Sequence, residues 1–322
     1  MMHTIKFVLI FVLQILLVYA LSNRVAIADE VSDLSNYQVQ EITSGNYVHV
    51  GNFPPQDTHN HGDVANIGFI VGSKCVAVID TGSSIHVGSL LKDAIHKVTS
   101  LPICVVVITH VHPDHLLGLN AFAEDLTVTV YGHHRLPKQI RKRSKYYLEM
   151  LQRDLAVEDI GSHAIDPSRI TTVDSFLTID LGDRVIEIQA WDYAHTDHDV
   201  TVTDVSTGTF WAGDLVFSKH VPILDSNARQ YDQVLKKLQS LDVKHYVVGH
   251  GPLDRPWRDL VTEQRRYLDV LMSGVRTAID TGVSLMDAVN TVGWDEHDRW
   301  LNFELYHRRN VTTTYTDLEW ED

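Results

Sequence analysis

The segment Thr109-His110-Val111-His112-Pro113-Asp114-His115 constrains this chain more than any other. It closes the run Ile103–Thr109, which is apolar and β-branched almost throughout, the signature of a strand buried on both faces. His110 and His112 are two residues apart, so in extended backbone they point the same way. Pro113 ends the extended stretch and favours a turn. Asp114 and His115 then open a helix and aim back from a second direction. One short segment can thus face two metal ions. Solvated loop histidines are the bland alternative, and four metal-capable side chains packed this densely at a strand end argue against it.

Three later positions repeat the placement at a strand end. His195 lies in Ala194-His195-Thr196-Asp197-His198, after a predicted strand 185–190. Asp214 lies in Ala212-Gly213-Asp214, after a predicted strand 209–212. His250 lies in Val248-Gly249-His250-Gly251, after a predicted strand 245–248. Glycine beside a ligand allows close backbone approach and unusual dihedrals. Each position alone is a weak signal, because single buried histidines are usually structural. Together with the first segment they point to a metal centre.

The set His-x-His-x-Asp-His, a distant His, Gly-Asp and Gly-His-Gly resembles the metallo-β-lactamase superfamily over residues 45–253. That resemblance implies a four-layer αββα sandwich. It implies His110, His112 and His195 on a first metal, Asp114, His115 and His250 on a second, and Asp214 bridging both. Two Zn2+ ions per chain are the first expectation, since imidazole suits zinc; iron and manganese also suit a site with a bridging carboxylate. The implied chemistry is hydrolysis by a metal-bridging hydroxide, with Asp114 as the catalytic group that orients it and carries a proton to the leaving group. Asp80, in Asp80-Thr81-Gly82, is expected to support a ligand from behind. There is no cysteine at the second metal's position, unlike one major lactamase group.

A narrower resemblance covers nearly the whole chain, to SoxH-like zinc hydrolases associated with quinoprotein systems. It rests on Val64–Gly72, Ala194–Asp197, Gly213–Phe217, Val221–Asp225, Tyr306–Val311 and Leu318–Glu321. It implies a role near alcohol oxidation without naming a substrate.

His133, His198 and His220 are expected around the pocket rather than on the metals, with a plain loop role for His133 at least as well supported. His59 and His61 are expected in a flap over the metals. The basic helix 135–153 could draw an anionic substrate to the cleft, although a solvated face is the favoured reading. Trp191 and Tyr193 are candidates for a pocket wall or for core packing.

The chain carries 27 basic and 42 acidic side chains, a net charge of −15. Such a surface repels polyanions, so a small-molecule substrate is expected and nucleic acid is not. Lys6, the apolar run Phe7–Leu21 and Ala26-Ile27-Ala28 read as a secretory signal over residues 1–28, with an uncleaved anchor as the alternative and the only expected membrane contact. A periplasmic or otherwise exported protein follows. Export permits a disulfide between Cys75 and Cys104, but sequence does not show that they meet. The expected organisation is an α/β catalytic domain over residues 29–253, with a helical extension over 254–322 packed on it. A non-hydrolytic quinone-handling or metal-binding protein is the competing class; seven filled ligand positions favour hydrolysis.

Overall fold

The computed structural model describes residues 37–52, 55–123 and 125–320. The expected signal at 1–28 lies outside the described residues. A seven-stranded sheet runs in chain order through β1 (Gln40–Thr43), β2 (Asn46–His49), β3 (Ile67–Val71), β4 (Val76–Ile79), β5 (Ile103–Val107), β6 (Thr129–His133) and β7 (Ile170–Val173). A five-stranded sheet follows from β8 (Phe176–Asp180), β9 (Val185–Trp191), β10 (Asp199–Asp204), β11 (Thr209–Phe217) and β12 (His245–His250), in the order β12-β11-β10-β9-β8. The helices are α1 (Ile85–Val98), α2 (Pro113–Leu116), α3 (Asn120–Ala123), α4 (Leu136–Leu155), α5 (Ala228–Gln239), α6 (Trp257–Asp280), α7 (Leu285–Ala288) and α8 (Phe303–Glu319).

Strand periodicity explains the layering. Successive side chains of a strand point to opposite faces. Val76 and Val78 of β4 pack with Leu91 and Ile95 of α1, whereas Ala77 and Ile79 face the second sheet. In β11, Trp211 joins Ile186, Val202 and Val247 between the sheets, while Phe210 and Ala212 pack outward with Tyr231 of α5 and Leu268 of α6. Both faces of both sheets are therefore covered, giving the αββα sandwich with a helical C-terminal section. Burying each of these large side chains contributes about 1.5–3 kcal/mol. Side chains cap the helices that start near the core: Ser84 accepts from Val87 N–H on α1, and Asn227 accepts from Gln230 N–H on α5. Among the described residues, no helix is long and apolar enough to cross a membrane.

The strand predicted at Leu126–Tyr131 begins only at Thr129. Asp125 instead accepts from Thr127 N–H and Oγ1–H, a local turn that leaves Leu126 exposed. The strand predicted at 209–212 runs on to Phe217, with its register against β12 shifting at Gly213. The strand predicted at 245–248 likewise extends to His250. Sequence reading missed β7, whose Thr171 and Thr172 blur its apolar pattern. Cys75 and Cys104 form a disulfide.

Strand direction gathers the functional loops. β4, β5, β6 and β7 are mutually parallel, as are β11 and β12, so their C-terminal ends share an edge within each sheet. β9 runs in the same sense as β11, because both are antiparallel to β10.

Candidate metal centre

The segment after β5 turns at Pro113, where α2 begins, as the sequence predicts. It brings His110, His112, Asp114 and His115 against His195 beyond β9, Asp214 in β11 and His250 at the end of β12. All seven sequence-predicted ligands converge. They fall into two groups, His110/His112/His195/Asp214 and Asp114/His115/His250, each with its ligand atoms within 4.8 Å of one another.

Asp214 lies between the groups. Its Oδ2 is 3.4 Å from His195 Nε2 and 3.7 Å from His110 Nε2. Its Oδ1 is 3.2 Å from His115 Nε2 and 3.5 Å from His250 Nε2. The shifted register at Gly213, which has φ of +51°, puts this carboxylate inside the strand edge. Tyr231 Oη–H donates to the Asp214 carbonyl at 2.8 Å and fixes the backbone behind it.

The outer nitrogen of each histidine is also held. His115 Nδ1 meets Asp80 Oδ2 at 2.7 Å, His195 Nδ1 meets the Ile223 carbonyl at 2.7 Å, and His250 Nδ1 meets the Val64 carbonyl at 2.9 Å. His112 Nε2 meets Asp225 Oδ2 at 2.8 Å, and His110 Nδ1 meets Thr109 Oγ1 at 3.0 Å. Thr109 in turn donates its N–H and Oγ1–H to Asp80. These contacts set the tautomers. A nitrogen facing a carbonyl or carboxylate carries the hydrogen, so the inward nitrogens of His112 and His195 present lone pairs. Those two nitrogens sit only 2.9 Å apart. His110 Nε2, His115 Nε2 and Asp214 Oδ1 are buried without a hydrogen-bond partner. Converging lone pairs and orphaned polar atoms are what a divalent cation would satisfy, so the donor set fits metal ions.

The electrostatics agree. Burial holds His112 and His195 neutral, each with its pKa lowered to about 3, and pushes His110 down as well. Burial opposes protonation of His250 too, but Asp214 and Asp114 outweigh it and raise its pKa to about 10. His115 is raised in the same way, against burial, by Asp214, Asp80 and Asp114. Burial would lift the two carboxyls, yet the facing histidines hold Asp214 and Asp114 well below the usual range.

The surrounding candidates separate. Asp80 touches His115 directly, as above. His198 accepts from Val111 N–H at 3.2 Å and pairs through Nδ1 with Asp197, so it braces the strand end without joining either group. His220 packs on His250 at 5.3 Å between ring centroids. His133 ends β6 and stands with His134 and Asp192 as a third group of metal-capable side chains. Its Nδ1 accepts from Arg135 N–H, which leaves the hydrogen on Nε2, and Arg135 already pairs with Asp192 at 3.0 Å. That tautomer does not fit a ligand. His61 lines a cavity with His86 and His163, and His59 pairs with Asp57; neither joins the metal-capable groups as a flap would. Trp191 packs partly buried against the core, and Tyr193 is exposed under Arg135.

Sequence reading missed Asp225 as the partner of His112. The residue ends the apolar loop Val221-Pro222-Ile223-Leu224 and has no motif spacing to betray it. Both its oxygens are engaged, since Arg143 of α4 and Arg309 of α8 also reach it.

Among solved structures, a metallo-β-lactamase from Pontibacter korlensis aligns with a TM-score of 0.55 at 20% identity, covering 72% of this chain and 98% of its own. The stereoselective inverting sec-alkylsulfatase Pisa1 from Pseudomonas sp. aligns with a TM-score of 0.67 at 14% identity, covering 88% of this chain and 51% of its own. A metallo-β-lactamase from Hirschia baltica gives 0.54 at 14%, covering 72% and 96%. These likenesses concern the fold. A search of curated proteins finds no match. The sequence model of the metallo-β-lactamase superfamily matches residues 60–250, more than half of the chain, and spans every one of the seven converging side chains: the chain belongs to that superfamily.

Proposed function

We propose that this chain is an exported, dinuclear metal-dependent hydrolase of a small ester, thioester or lactam. His110, His112 and His195 would hold one ion, Asp114, His115 and His250 the other, and Asp214 both. The observation that carries this reading is the Asp214 carboxylate, which turns one oxygen to each histidine set. Zinc is the preferred metal for so imidazole-rich a donor set. Bound ions of this kind acidify a coordinated water toward neutrality and stabilise charge building on a leaving group.

The chain's own groups position and move protons. The Asp114 side chain keeps 14% exposure against 2% for Asp214, so it is the carboxylate within reach of substrate. Its Oδ2 is anchored 3.1 Å from His250 Nε2. The other oxygen takes a proton from the attacking water and returns it to the leaving group. Export is supported by the apolar N-terminal segment and by the Cys75–Cys104 disulfide. The resemblance to SoxH-like proteins favours a substrate produced near quinoprotein alcohol oxidation.

The test is a turnover panel of aryl esters, thioesters and lactams, with sulfate esters added because one fold neighbour is named a sec-alkylsulfatase. Turnover is expected on at least one class, lost to a chelator and restored by added ion. With saturating added ion, Asp114→Asn is expected to lower kcat by about 100-fold or more, and to weaken uptake of the ion it would share with His115 and His250. A fully metallated chain inert across the panel defeats the proposal.

Ion uptake also has a pH signature. With its pKa raised to about 10, His250 holds a proton at neutral pH in the metal-free chain, and Asp214, Asp80 and Asp114 push His115 in the same direction; a proton so held must be shed to bind an ion. Calorimetry in buffers of different ionisation enthalpy at pH 7 is expected to show net proton release on filling the set that contains His250. Release should fall as pH climbs toward the His250 value of about 10. The same pairs stabilise the metal-free fold. That stabilisation is full below the ordinary histidine pKa of about 6.5 and is lost as pH rises through the raised folded values.

A further inference from the structure

We propose that Arg309 and Asn310 of the C-terminal helix α8 belong to the metal centre, acting as a clamp on the outer partners of the three-histidine set. The inference rests on the ligand sets proposed above and adds residues outside the matched span, which ends at residue 250.

The loop Val221–Asp225 supplies the outer partners of two of the three histidines. The Ile223 carbonyl accepts from His195 Nδ1–H, and Asp225 Oδ2 accepts from His112 Nε2–H. Asp225 N–H also donates to the His195 carbonyl at 3.0 Å. Most of what fixes this loop comes from the C-terminal section. Asn310 of α8 donates Nδ2–H to the Pro222 carbonyl at 2.7 Å and accepts at Oδ1 from Leu224 N–H at 3.0 Å. Arg309, its neighbour on α8, pairs with Asp225 Oδ1. Val221 N–H donates to the Leu301 carbonyl just before α8. Asn310 is fully buried, and its amide also meets Tyr267 Oη at 2.9 Å, so its orientation is set.

The outer nitrogens of the second set are held elsewhere, and among the described residues α8 reaches that set only through the stack of Tyr306 on His220 and His220 on His250. His115 leans on Asp80 and His250 on the Val64 carbonyl, both far upstream in the chain. Partners behind a ligand histidine orient its ring and tune its basicity, and losing one typically costs about 10- to 100-fold in metal affinity. Disturbing Asn310 or Asp225, which bear on the loop behind the three-histidine set, therefore weakens that set selectively. Asn310 and Asp225 are positioning residues, acting through the histidines rather than on substrate.

The experiment is a cobalt(II) titration of the metal-free full-length chain, followed by absorbance and competition with a chelator. His112→Ala and His250→Ala identify which binding step belongs to which set. In Asn310→Ala the step lost in His112→Ala is expected to weaken by about 10- to 100-fold, while the other step stays within about twofold. Asp225→Asn keeps the side-chain volume, removes the anion facing His112 and is expected to do the same; Arg309→Gln, which removes the half-exposed α8 cation facing Asp225, is expected to weaken the same step and carries the test should Asn310→Ala not fold. A merely structural role would weaken both steps together, and that result, or unchanged binding, overturns the clamp. A wild-type chain that takes up no cobalt overturns instead the reading of the site itself.

Discussion

Asp214→Asn is expected to abolish tight binding of both ions at once, lowering each affinity by well over ~100-fold, since partners one layer further out already cost 10- to 100-fold. The two oxygens of Asp214 face different histidine sets, so one neutral amide cannot serve both. Its oxygen can satisfy one set, and its NH2 then points hydrogens at the other, where lone pairs are needed. The substitution acts on the metal-free chain too. Asp214 is nearly fully buried and balances the protonated His115 and His250. Removing one partner of a buried pair typically costs about 3–5 kcal/mol. Those histidines then lose the largest of the charges that favour their protons, leaving Asp114 and Asp80, so ion-linked proton release should shrink together with the affinity. Calorimetric titration of wild type and variant, with thermal unfolding of the metal-free forms, measures all three quantities. Retention of two tight ions by the variant would remove Asp214 from the bridging position.

Gly249→Ala is expected to be almost as damaging, although residue 249 carries no ligand. A Cβ there would lie 1.9 Å from Asp214 Oδ1 and 2.9 Å from the Gly213 carbonyl carbon. Neither neighbour can move freely. The Asp214 backbone is held by Tyr231, and Gly213 sits at the register shift between β11 and β12. Overpacking of this kind costs about 1–3 kcal/mol, and the atom displaced is the bridging oxygen. The expected outcome is a folded chain with a lowered unfolding temperature and a metal content below one ion per chain, read by elemental analysis after gel filtration. Full metal content in Gly249→Ala would mean that the strand ends part easily, against the packing seen at β11 and β12.

The centre was legible in sequence because its ligands sit where strands end, and strand ends announce themselves. The run Ile103–Thr109 predicts β5 from its first residue and overshoots its end at Val107 by two, and His110 follows the run at once. Less was visible where local chemistry overrides pattern. The turn around Asp125 delays β6, and β11 outruns its predicted end because its sequence passes through Gly213 and Asp214 without losing the ladder. Asp225 and Asn310 were invisible for a different reason. Their work depends on which loop a distant helix covers, and nothing in the spacing of a single sequence records that.

The disulfide sets a limit on how redox conditions can reach the metals. β4 and β5 pair in parallel, with Val76 opposite Ile103 and Ile79 opposite Val107. Cys75–Cys104 joins these strands where they start, and Asp80 grips Thr109 where they finish. Five strand residues at about 3.3 Å each put the sulfurs some ~16 Å from the ligand end. Thiols set free by a reductant would open the bottom of a rail whose top is still bolted, too far off to compete as ligands. Any effect of a thiol-containing buffer on ions held at this site is therefore expected to come from the buffer thiol itself, and not from Cys75 or Cys104.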